Sequence, residues 1–353
     1  MRSYQVTVFD TPLEARDQPT PEPTGSEVLV KITAAGVCHS DIHICEGFYD
    51  FGGGKKFHMG ERGLGLPLTM GHEIAGEIVS AGPDSEPVKA GEPVVVYPWI
   101  GCGTCRTCAR GDENLCLKPR FLGVYRAGGY ATHVIVPHKR YCLPTHGLPA
   151  DVAAPYACSG VTTWSAIHKI DEAIRQSEPV LIIGAGGLGL MCLSLVNALG
   201  MKGAIVADLD EAKRKVALEA GALAAVDPRD PKAVEQVKAL TTDGVGVLAT
   251  IDVVGSGSSV QFAMDCAVKG SHIVVVGLIG GQITIPVPTI PQRAMTIEGS
   301  YVGNLSELAT LLKFVADKHP KTIPIERLPL AQANAALEAL KAGKVNGRIV
   351  LQP

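Results

Sequence analysis

Four cysteines, Cys102, Cys105, Cys108 and Cys116, crowd one short stretch in the pattern C-x2-C-x2-C-x7-C. Four thiolates this close can form a tetrahedron around Zn²⁺ and leave no position for water, the chemistry of a structural zinc. A second set of metal-type residues is dispersed: Cys38, His72 with Glu73, and Cys158. Three ligands from distant segments with an open fourth position suit a zinc ion that works on a substrate. Cys, His and Cys would leave that position to water or an alcohol. Taken singly, Cys38 or Cys158 reads as a small buried apolar residue and His72 as a satisfied core histidine. Cys45, Cys142, Cys192 and Cys266 have no such context and are read as packing residues.

A third motif is Gly184-Ala-Gly186-Gly187-Leu188-Gly189, which satisfies G-x-G-x-x-G. In a chain with 40 glycines the pattern alone is weak. Its setting strengthens it, because an apolar run at 180–183 precedes it and a helical pattern at 188–199 follows. Glycines there let backbone N–H groups approach a pyrophosphate at a helix N-terminus. Asp208 closes the next apolar run at the distance expected for a carboxylate on the ribose hydroxyls, which favours NAD over NADP. The bland reading is a plain tight turn, and Asp210 is a weaker substitute for Asp208. Together the motifs imply hydride transfer: a Lewis-acidic metal promotes deprotonation of an alcohol, and hydride passes to a nicotinamide.

The elements that must position these groups fall into two patterns. Residues 1–158 carry short β-type runs at 28–32, 74–79, 94–97 and 132–136, separated by glycine-rich turns, which predicts an irregular β-rich domain. After Cys158 strands alternate with helices: strands at 180–184, 204–208, 248–254 and 273–277, helices at 188–199, 211–220 and 260–268. That is the pattern of a parallel, doubly wound sheet, an α/β fold. Helices near 308–316 and 331–342 and a strand at 347–351 follow, and that strand is expected to return to the first domain. The predicted division is 1–158, completed by 302–353, and 159–301. With 353 residues, two domains are the natural expectation.

The formal net charge of −3 shows no global basic bias toward nucleic acid or anionic lipid. No apolar run reaches the ~18 residues of a membrane span. The N-terminus has no signal-peptide pattern, so the ten cysteines point to metal rather than disulfides, and a cytoplasmic chain is expected.

On these residues the chain resembles the zinc-dependent medium-chain alcohol dehydrogenases over essentially its full length. Gly71-His72-Glu73-x2-Gly76-x5-Gly82 is similar to that family's zinc signature, the four-cysteine lobe has its spacing, and the segment around Cys158 looks like its third-ligand segment. The resemblance implies a GroES-like catalytic domain joined to a Rossmann coenzyme domain, NAD, and two zinc ions per chain. It implies that Cys38, His72 and Cys158 bind the catalytic zinc with Glu73 close behind, and that Asp41 orients His72. It gives Ser40 contact with the alcohol oxygen and His43 the proton, passed through the cofactor ribose. His39 and Arg348 would lie near the cofactor, Thr162 and Leu188 at the nicotinamide, and Lys213 near the adenosine ribose. A homo-oligomer, tetramer or dimer, is implied as well.

Residues 47–70 are longer than the family's usual segment, and their glycines argue for a loop beside the active site. Trp99 is a candidate wall of the substrate pocket or a core residue. The expected substrate is a primary or secondary alcohol, or its aldehyde or ketone. An alternative is a medium-length ω-hydroxy acid met by Lys55, Lys56, His58 or Arg62, against the simpler reading that these cations face water. A polyol dehydrogenase and a quinone reductase of the same fold fit the cysteines less well. From a different class, the zinc lobe with Arg106, Arg110, Lys118 and Arg120 could bind nucleic acid, but its cations read more simply as a solvated face.

Overall fold

The computed structural model describes residues 1–353; the Arg62 side chain lies outside the described residues. Val180–Ile183 reads Val-Leu-Ile-Ile, is buried along its whole length and sits at the centre of a six-stranded parallel sheet. The sheet order is Ala224–Val226, Ala204–Ala207, Val180–Ile183, Val247–Asp252, Ala267–Val275, Thr296–Gly299. Reading outward from the first strand in both directions, this is the 3-2-1-4-5-6 order of a doubly wound dinucleotide fold. The helix Gly187–Ala198 leaves the central strand, and Glu211–Glu219 leaves the next, capped by the Asp210 carboxylate on the Ala212 and Lys213 N–H groups.

Two sequence expectations needed revision here. The helix expected at 260–268 spans Gly257–Cys266, and residues 267 and 268 already belong to the strand Ala267–Val275. Pairing decides this: Ala267 lies opposite Val247, and a register shift then brings His272 opposite Ala249. The short strand Ala224–Val226 and the helix Ala233–Ala239 had no counterpart in the sequence reading.

The other main sheet has seven strands. Its path runs Cys142–Pro144, Pro93–Val96, Glu73–Ala81, Val28–Gly36, Arg348–Gln352, Ile325–Pro329, with His133–Val136 also paired to Val28–Gly36. The expected return of the final strand is observed, with Val350 opposite Gly36 and Leu351 opposite Ala35. Alternating buried and exposed positions are confined to parts of these strands; Val94, Val95 and Val96 are all fully buried.

Residues 47–70 are not a plain loop. Phe48–Asp50 and Lys56–His58 pair antiparallel, with Phe48 opposite His58. Gly52, Gly53 and Gly54 make the turn, all at positive φ, a region that side chains with a Cβ resist. The glycines that suggested a loop are therefore the turn of a hairpin. Its tip reaches the opposite half: a Cβ on Gly52 would lie 2.6 Å from the Gly281 carbonyl carbon, and one on Gly280 would lie 2.2 Å from Asp50 O. No helix among the described residues is long and apolar enough to cross a membrane.

Candidate active site

Cys38 is the N-cap of the helix His39–Glu46, and Cys158 the N-cap of Ser159–Lys169. His72 directly precedes the strand Glu73–Ala81. Three separate elements thus bring three ligand atoms within 4.8 Å of one another, and all three residues are buried. The Cys38 and Cys158 sulfurs are 3.9 Å apart and form no disulfide. Tetrahedral zinc with Zn–S bonds of about 2.3 Å needs sulfurs about 3.8 Å apart, so the spacing fits. His72 Nδ1 lies 3.2 Å from Asp41 Oδ1, which leaves Nε2 buried without a hydrogen-bond partner. A buried ring nitrogen without a partner is costly, and a metal ion would satisfy it.

Asp41 is itself held. Its Oδ2 accepts hydrogen bonds from the Cys38 N–H and the Tyr130 hydroxyl, both at 2.9 Å. Tyr130 and its role had no signal in the local sequence, because it is 89 residues away. Trp99 is both wall and core: its ring lies 5.2 Å from His72 and its Nε1–H donates to Ala157 O.

Glu73 stands outside the three-residue group. It is fully buried, with Arg348 2.8 Å from its Oε1. Burial pushes its carboxyl up to about 7, against the pull of Arg348. Its Oε2 has no partner, and the missing Cβ of Gly36 makes room for it, since a Cβ there would come within 1.9 Å.

The three buried ligands open on a cleft of about 1220 Å³ between the two sheets. The same cleft is lined by His39, Ser40, His43, Thr162, Gly184, Gly186, Gly187, Leu188, Gly189, Asp208, Lys213 and Arg348. Sequence-distant candidates therefore meet in one place. At the glycine loop, a Cβ on Gly189 would strike Gly184 O at 1.8 Å, so packing forbids one. A Cβ on Gly186 would meet nothing within 4 Å, which leaves open space at the N-terminus of the helix Gly187–Ala198. That is the room a pyrophosphate requires. Asp208 accepts the Ala185 and Asp210 N–H groups, which fixes the loop and the carboxylate together.

His43 packs against His39 and Tyr49, with ring centroids 5.4 and 4.8 Å away. Burial, then the neighbouring His39, hold it below its ordinary pKa. Lys55, Lys56 and His58 do not line the cleft; Lys56 instead lies over the Phe48 ring at 3.8 Å. Arg62 was the fourth cation considered, and its side chain is outside the described residues.

The four lobe cysteines form a second group with all ligand atoms within 4.8 Å. Sulfur separations of 3.4, 3.8 and 4.0 Å bracket the tetrahedral value. Glu113 anchors the lobe, accepting from the Gly101 N–H, the Tyr141 hydroxyl and Arg140 at 2.9, 2.7 and 2.6 Å. The sequence reading missed this residue; a buried Glu inside a zinc lobe was the available signal. Among the basic residues of the lobe, Arg110 pairs with Asp112.

Residues 24–147 match the alcohol dehydrogenase GroES-like domain family, and residues 187–317 the zinc-binding dehydrogenase family. The chain is 36% identical to an NAD-dependent alcohol dehydrogenase of Sulfurisphaera tokodaii and 34% to one of Saccharolobus solfataricus, with all of each chain covered. Among solved structures it is similar to the alcohol dehydrogenase of the hyperthermophilic archaeon Aeropyrum pernix, with TM-score 0.87, 31% identity and full coverage of both chains. Two domain matches in order and relatives matched from end to end establish that the chain belongs to the medium-chain, zinc-dependent alcohol dehydrogenase family.

Proposed function

We propose that this chain is an NAD-dependent zinc alcohol dehydrogenase, interconverting a primary or secondary alcohol and its aldehyde or ketone. The observation that carries this reading is the buried Cys38–His72–Cys158 group opening on the same cleft as the glycine loop. When bound, zinc would supply Lewis acidity toward the alcohol oxygen and NAD the hydride acceptor.

The residues then have distinct tasks. Cys38, His72 and Cys158 hold the metal, and Asp41 orients the imidazole. Glu73, neutralised by Arg348, adds a carboxylate behind the metal site without a free buried charge. Ser40 takes the substrate hydroxyl proton, and His43, neutral near pH 7, receives it at the solvent side. The glycine loop and His39 hold the pyrophosphate, Asp208 and Lys213 the adenosine ribose, and Thr162 and Leu188 the nicotinamide face. The lobe cysteines hold a second, structural zinc. The division into 1–158 with 302–353 and 159–301 is supported by the separate sheets on its two sides.

We infer homo-oligomers from an open sheet edge. Thr296–Gly299 is paired on one side only, and Val287, Ile290 and Ile297 are exposed beside it.

The test is NADH formation across primary and secondary alcohols, with zinc measured on the same preparation. About two zincs per chain with turnover is expected, and His72→Ala should abolish turnover while keeping the lobe zinc. Near-normal turnover in that variant would sink the site assignment.

A further inference from the structure

A second hollow, of about 450 Å³, adjoins the cleft and has a different chemistry. It is lined by Gly63, Leu117, Lys118, Pro119, Arg120, Tyr125 and Arg126. Among the described residues, three cations and no carboxylate line it. Among the described residues, none of the three cations has a carboxylate partner. Glu61, on the turn just before Gly63, is exposed and not part of the lining.

Tyr125 lines both spaces, so the hollow and the cleft that holds the candidate metal ligands meet at this side chain. An aromatic wall joins them. Trp99 packs on His72, Phe121 on Trp99 at 5.3 Å, and Tyr125 on Phe121 at 6.0 Å. The turn that carries the cations is fixed to the metal site through backbone: Cβ atoms on Gly123 and Gly128 would lie 2.4 and 2.1 Å from Gly71 O, beside His72. Arg126 N–H donates to Phe121 O, and Arg120 N–H to Ile100 O. The cations therefore sit on a segment tied by backbone to the metal-ligand region, beside an aromatic wall that borders both spaces.

We propose that this hollow receives the anionic end of the substrate, a carboxylate joined to the reacting carbinol by an apolar spacer. The inference rests on the alcohol dehydrogenase reading and names its substrate class. Guanidinium groups suit a carboxylate because they donate in a planar fork. The recognising cations are those of the 118–126 segment, and Lys55 and Lys56 of the hairpin take no part.

The experiment compares kcat/KM for straight-chain ω-hydroxy carboxylates of increasing length with that for their methyl esters. At a matching length the acid should exceed its ester by about tenfold or more, with the advantage falling as salt rises. Arg126→Ala and Arg120→Ala should remove the advantage, leave ester turnover unchanged, and Arg126→Lys should restore part of it. Equal turnover of acid and ester at every length would overturn the subsite alone. Turnover of neither, nor of any simple alcohol, would overturn the enzyme reading and the subsite with it. If inorganic phosphate altered ester turnover while the acid showed no advantage, the hollow would belong to a free anion and the proposal would fall.

Discussion

At the scale of single residues, the consequential group is His43. Its imidazole sits half-buried between His39 and Tyr49, and burial keeps it neutral below the ordinary histidine value near 6.5. A depressed pKa means the ring can still accept a proton at mildly acidic pH and loses that ability only as pH falls through the lowered value. The acid limb of alcohol oxidation attributable to His43 should therefore lie below about 6.5. His43→Ala should erase that limb and lower kcat/KM by roughly 10²-fold, with added imidazole restoring part of it. An unchanged pH profile would remove His43 from the proton path. The metal-type residues were readable beforehand because metal chemistry admits few side chains and places them at short, repeated spacings. Asp41 was readable only by resemblance. Its second partner Tyr130 and the lobe anchor Glu113 were not read, because their partners lie far away in sequence and polar residues carry no periodicity that betrays a buried contact.

At the scale of elements, the four-cysteine lobe has little regular structure to support it. Its two helical turns, Arg106–Ala109 and Glu113–Leu115, are a single turn each, and neither could stand alone. In the reading proposed above, a metal held by the four cysteines would supply the cohesion together with the Glu113 carboxylate. Cys105→Ser should lower the melting temperature and expose the lobe to protease before it affects the chemical step. Normal stability with lost turnover would contradict a structural role. The four central strands of the doubly wound half and the helices beside them were legible because buried runs such as Val180–Ile183 and capped helices leave strong local signals, while the short outer strands Ala224–Val226 and Thr296–Gly299 do not. The hairpin at 48–58 was not, since three consecutive glycines suit both a loop and a tight turn, and only cross-strand pairing distinguishes them.

At the scale of the whole molecule, Thr296–Gly299 is an open sheet edge, and the proposed homo-oligomer would add strand to strand there. Replacing both Val287 and Ile290 by Asp should reduce the mass seen by sedimentation velocity, because like charges and lost apolar contact would oppose pairing across the edge. The same mass in the variant would place the interface elsewhere. The return of Arg348–Gln352 between Val28–Gly36 and Ile325–Pro329 has a different consequence. A ribosome makes the metal-binding sheet first, yet that sheet lacks an interior strand until residue 352 has been made. Native pairing across more than 300 positions of sequence is slow to form, so the first domain must wait, with its edge open, through synthesis of the entire dinucleotide fold. A stop codon shortly before residue 348 would remove Arg348 from Glu73 and that strand from the sheet at one stroke. Such a chain would be a client for chaperones and proteases rather than a weakened catalyst.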